Sequence, residues 1–154
     1  MKRNFGRAGL VLIAFLLLDS CDSDVKQLPV ETLSIDGNCD VTGVGCTARS
    51  GSMQWAVHLE RPAVALKPFP VTLTVIGAGE RLGTVRVRFD MAEMSMGLNE
   101  YQMVQTGDNA WKAEVTLPIC TSGRSDWRVR FSAESEHRRW TMVVPFRLEP
   151  PGDG

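Results

Sequence analysis

The sequence predicts an all-β protein, an antiparallel β-sandwich of about seven strands after an N-terminal leader. Three observations predict it. Apolar and polar residues alternate with a period of two in run after run, Gly, Pro, Asn and Asp clusters separate the runs, and no stretch after the leader carries helical spacing. The chain has 154 residues, enough for one domain with a single core once a leader is set aside.

Lys2, Arg3 and Arg7, then the apolar run from Gly9 to Leu18, then small and polar residues, read as a secretory signal peptide over 1–20. That run is shorter than the roughly 20 apolar residues a bilayer-spanning helix needs. Leu18-Asp19-Ser20-Cys21 resembles the lipobox of bacterial lipoproteins. The resemblance implies that Cys21 is lipidated, heads the mature chain and anchors it to a membrane on the periplasmic side of the cell envelope. Asp19 stands where that motif carries a small or aliphatic residue, so ordinary cleavage and soluble export is the second reading. Asp22 resembles the signal that retains enteric lipoproteins at the inner membrane. Residues 21–33 are polar with few aromatics, which suits a flexible tether.

The sandwich is expected over 34–149. Met53, Trp55, Val57 and Leu59 share one face of a strand. Arg61-Pro62 and Lys67-Pro68-Phe69-Pro70 punctuate a loop, after which Val71, Leu73 and Val75 alternate with threonines. Val85, Val87, Phe89 and Met91 then face one way while Thr84, Arg86, Arg88 and Asp90 face the other. Gly107-Asp108-Asn109 links runs 101–106 and 110–117 as a hairpin, since these residues tolerate left-handed turns. Two further strands point Trp127, Val129 and Phe131, and then Trp140, Met142, Val144 and Phe146, inward. Pro145 lacks an amide hydrogen, which places the last strand at a sheet edge guarded by Arg138, Arg139 and Arg147. This number and spacing of short strands suits an immunoglobulin-like sandwich. Residues 150–154 should be a loose tail.

Cys39 and Cys46 enclose a short Gly-containing loop, so a disulfide between them is expected in an exported chain. It stabilises the fold by roughly 2 to 3 kcal/mol at best. Cys120 is then left over, as a metal or redox ligand, an inert thiol, or a rival partner for Cys39 or Cys46.

Phe89-Asp90-Met91-Ala92-Glu93-Met94-Ser95-Met96-Gly97 runs from strand into what reads as a thioether-rich loop. Successive antiparallel strands alternate direction, so this loop and the loop 118–125 emerge at one end of the sandwich, joined there by the Pro-rich loop 61–70. Thioether and thiol sulfur prefer soft ions, Cu(I) above all. Met94, Met96 and Cys120, with Met91, are therefore the candidate metal ligands. The ordinary alternative is that Met91 continues the inward face of its strand and that methionine fills gaps in the core.

The same stretch, followed by Trp111-Lys112-Ala113-Glu114 and Leu117-Pro118, resembles the FixH and YtkA-like group of small bacterial envelope proteins over roughly 70–148. Residues 117–127 are similar to a signature in lipoproteins associated with SenC-type copper chaperones. The resemblance implies a place beside copper-handling and cytochrome oxidase assembly factors, with a copper chaperone or an assembly factor as partner. Cys120 departs from many members of the group.

Other classes find little support. Net charge is −1 and becomes −3 without Lys2, Arg3, Arg7 and Asp19, so nothing favours nucleic acid. There is no phosphate-binding Gly-rich loop, zinc spacing or nucleophile elbow. His58 and His137 are isolated and read as solvated, and Arg124 with Asp126 reads as an ion pair fixing a loop. Trp55, Trp111, Trp127 and Trp140 all fall on inward faces. The expectation is a tethered envelope lipoprotein, not an enzyme, that binds Cu(I) or assists oxidase assembly. The alternative is a metal-free structural or interaction module.

Overall fold

Alternation along each strand sends one set of side chains into a shared core and the other into water, and two sheets meet over that core. The computed structural model describes residues 27–150. Its strands in chain order are β1 (Val30–Thr32), β2 (Ser34–Ile35), β3 (Cys46–Ser50), β4 (Met53–Leu59), β5 (Phe69–Ile76) and β6 (Thr84–Met91). β7 (Met94–Gln102), β8 (Val104–Gly107), β9 (Ala110–Val115), β10 (Asp126–Glu134) and β11 (Arg139–Arg147) complete them. One sheet has the order β1-β11-β10-β6-β7 and the other β2-β3-β4-β5-β9-β8, with every pairing antiparallel except β1 with β11. The expected signal peptide over 1–20, Cys21 and the expected tail beyond Pro150 lie outside the described residues.

The seven expected strands are present, and four more accompany them. β1 takes in residues assigned to the tether: Val30 pairs with Arg139, and Leu33 behind it is buried. β2 and β3 extend the second sheet beyond β4, where polar residues such as Thr47, Arg49 and Ser50 hide the alternation.

The fourth addition corrects the thioether loop. Met91 pairs with Met94 across a two-residue turn, Ala92-Glu93, with Glu93 in the left-handed region at φ 62°. What reads as a loop is strand β7, but an irregular one. Phe89 pairs with Asn99, so β7 advances five positions while β6 advances two. The surplus forms a bulge through Gly97, whose φ of 75° suits a residue without a Cβ.

β7 then leaves its sheet. The Met103 amide still donates to Val85 O at 2.9 Å, while Val104 pairs with Lys112 in the opposite sheet. Run 101–106 therefore straddles the two layers. Tyr101 fastens this crossing, its hydroxyl donating to Thr116 O at 2.5 Å.

The last strand is also corrected. β11 lies between β1 and β10 along 139–141, and its outer side is uncovered only farther on, around Pro145. The missing amide hydrogen thus falls where β1 has already ended. Trp55, Trp127, Trp140 and Trp111 are all buried, as their inward positions require. Among the described residues, no helix is long and apolar enough to cross a membrane.

Candidate metal centre

Three connections meet at one end of the sandwich, as strand parity requires: the segment between β4 and β5, the β6–β7 turn, and the segment between β9 and β10. Backbone bonds close the first and the third of these on each other and on the chain after β11. The Leu66 amide donates to Leu117 O at 2.9 Å, Ala65 to Glu149 O at 3.2 Å, and Leu148 to Ser125 O at 3.0 Å. A small cleft is left between Ala65, Pro118, Cys120, Trp127 and Leu148, with a volume of about 110 Å³.

Cys120 opens a tight turn in which the Gly123 amide donates to Cys120 O at 3.0 Å and Gly123 takes φ 73°. This turn carries the thiol toward the β6–β7 hairpin. Cys120 Sγ lies 3.1 Å from Met94 Sδ and 3.0 Å from Ser122 Oγ, and the residue is 5% exposed. Cys120 is a free cysteine, because Cys39 and Cys46 are joined to each other, with Cα atoms 5.0 Å apart.

The thiol's surroundings hold its pKa below the ordinary value. The Ser122 hydroxyl lowers the Cys120 pKa most, burial opposes this, and the Ser122 and Arg124 amides with the Arg124 charge add to the lowering. A thiolate is both the metal ligand and the nucleophile among the forms of cysteine. Arg124 is held by Asp126, through Nε to Oδ1 at 2.9 Å and Nη2 to Oδ2 at 2.5 Å. That fork lowers Asp126 to about 2 and raises Arg124, to which Glu93 of the β6–β7 turn also contributes.

Of the four candidate ligands, Met94 touches Cys120. Met96 lies on the bulge, packed in part against the core, and its carbonyl accepts from Asn99 Nδ2 at 3.0 Å. Met91 is 2% exposed and sits opposite Trp127 in the β6–β10 ladder, so it belongs to the core. The donor chemistry fits a soft ion: one thiol of lowered pKa and one thioether in contact, with a second thioether on the bulge that follows. An ion held by both sulfurs requires them to part, and the unbranched methionine side chain has the rotational freedom to do so.

His58, the last residue but one of β4, has its Nε2 3.1 Å from Gly43 O, and His137 is exposed between β10 and β11. Among the described residues no group of three or more His, Cys, Asp or Glu is placed to hold a metal. Ser122 was not singled out by the sequence reading. The available signal was its position two residues after Cys120 in Cys-Thr-Ser-Gly, a spacing at which a hydroxyl bonds its own turn. Compared with protein-family models, curated proteins and solved structures, the chain matches none of them.

Proposed function

We propose that this protein is a tethered copper-handling module of the bacterial envelope. Cys120 and Met94 hold Cu(I), and Met96 completes the ligand set. The observation that carries this reading is the 3.1 Å contact between Cys120 Sγ and Met94 Sδ, made by a thiol whose pKa is held below its ordinary value. Binding and release to a copper chaperone or an oxidase assembly factor is the activity, with no substrate turned over. The likeness to FixH and YtkA-like envelope proteins supports the setting, and the resemblance of Cys21 to a lipidated cysteine supports a tether at the inner membrane. The strand order β4-β5-β9-β8 facing β11-β10-β6-β7 supports reading the sandwich as immunoglobulin-like, a type whose clustered end loops commonly carry binding sites.

The test is a Cu(I) titration of the reduced full-length protein against a competing chelator, beside Met94→Leu/Met96→Leu/Cys120→Ser. One equivalent bound tightly by the wild type and lost in the variant is expected. Equal competition by both proteins sinks the reading.

One observation favours a second reading, a metal-free docking module. Leu66 and Ile119 are 60% and 45% exposed on two of the connections that form the sulfur end, and Leu98 is 76% exposed on the bulge of β7. On that reading the triple variant still engages its protein partner.

A further inference from the structure

The outward face of the β1-β11-β10-β6-β7 sheet holds more arginine than its acids can neutralise. Arg128 Nη2 lies 2.6 Å from Asp90, Arg139 Nη2 lies 2.7 Å from Glu134, and Arg86 shares Glu100 and Glu134 at 3.7 Å each. Glu100 also stands directly opposite Arg88 in the β6–β7 ladder, on the side away from β10, without forming an ion pair with it. Arg88 and Arg130 remain, both exposed, directly opposite each other in the β6–β10 ladder, and without an ion pair among the described residues. Like charges directly opposite one another disfavour the sheet that carries them. An anion between them reverses that sign.

The pair belongs to a shallow groove of about 240 Å³, whose charged lining is Arg86, Arg88, Arg130 and Arg139 against Glu100 and Glu134, with Val30 and Thr141 at its side. It lies where the N-terminal chain joins the domain. The Arg139 amide donates to Pro29 O at 2.9 Å, and Val30 is 58% exposed on the groove's rim. The 26 residues outside the structure on this side, with Cys21 among them, therefore connect at the rim of the basic face.

We infer that this face docks on the phosphates of an anionic phospholipid surface, with Arg88 and Arg130 forming the pair that grips a headgroup. Charge complementarity is local, since the whole chain carries a net charge of −1. Guanidinium forks match phosphate oxygens two at a time, and a sheet face presents them to a surface together. The inference rests on the lipid-tether reading of Cys21 proposed above, under which the entry of the N-terminal chain at the same rim selects a membrane over a dissolved anion. The inference is independent of copper, and Cu(I) binding stands or falls separately.

The test is co-sedimentation of the full-length protein, at low salt, with phosphatidylcholine vesicles and with vesicles containing phosphatidylglycerol, beside Arg88→Gln/Arg130→Gln. Both positions are exposed, so the variant keeps its circular dichroism spectrum and melts no lower than the wild type. Lys2, Arg3 and Arg7 act equally in both proteins, which leaves the difference to the sheet face. The expected result is a preference of the wild type for anionic vesicles that falls about twenty-fivefold in the variant, at about fivefold per arginine. An equal preference in the two proteins overturns the inference. A second arm follows the Arg88 and Arg130 guanidinium signals by NMR during titration with inorganic phosphate. Saturation there, with no vesicle preference dependent on the pair, also overturns it and leaves a site for a dissolved anion.

Discussion

Replacing Phe89 by alanine removes the ring around which the sulfur end of the sandwich is packed. Phe89 is 1% exposed and meets Phe69 of β5, Tyr101 of β7 and Phe146 of β11 edge-on, with centroids 6.3, 6.3 and 5.9 Å away. Truncating a buried phenylalanine to alanine costs about 3 to 5 kcal/mol through lost transfer energy and a residual cavity. Three edge-on pairs, each contributing about 0.5 to 1.5 kcal/mol beyond area, place this position in the upper part of that range, at about 4 to 5 kcal/mol. Phe89→Leu keeps most of the apolar volume and costs about 1 to 2 kcal/mol. The assay is equilibrium urea unfolding of both variants and the wild type, with the slope compared to establish that two-state behaviour persists. Against a total of about 5 to 15 kcal/mol for a domain, the alanine variant stands near the limit of folding and the leucine variant well inside it. A loss below about 2 kcal/mol for alanine, or equal losses for the two substitutions, would refute the packing argument.

Two other predictions concern the groups around the thiol. Ser122→Ala removes the largest influence holding the Cys120 pKa down, so the pH profile of Cys120 alkylation by iodoacetamide moves to higher pH; an unmoved profile contradicts the assignment. Asp126 sits at about 2, below its ordinary 3.8, so the stabilisation it contributes is present above about pH 4 and lost as pH falls through 2. Arg124→Gln moves the Asp126 carboxyl titration, read by NMR, back toward 3.8, and a titration still near 2 rules out the fork as its cause.

Much of the architecture was legible because period-two alternation is strong wherever one face is fully buried, as in β4, β6 and β10. It failed at β7 for a physical reason. Met96, Gly97 and Leu98 sit on a bulge, which breaks the alternation, and a glycine directly after the thioethers reads as loop. β1 to β3 are too short or too polar to carry a period. Pro145 points to a strand at a sheet edge, and the three-residue partner β1 covers the other part of β11.

Strand parity placed Met94 and Cys120 at one end before any distance was known. Their contact depends on two turns, Ala92-Glu93 and Cys120-Thr121-Ser122-Gly123, whose reach no spacing rule supplies. The outward positions of Arg88 and Arg130 were likewise readable, but their juxtaposition is a matter of register. A one-residue slip would have separated them.

Copper K-edge absorption of the full-length protein loaded with one equivalent of Cu(I) tests the central claim most directly. The account predicts a first shell of two or three sulfur atoms at about 2.3 Å, typical of a metal–thiolate bond, which changes in both Cys120→Ser and Met94→Leu. A shell dominated by nitrogen or oxygen, or one that neither substitution alters, would contradict it.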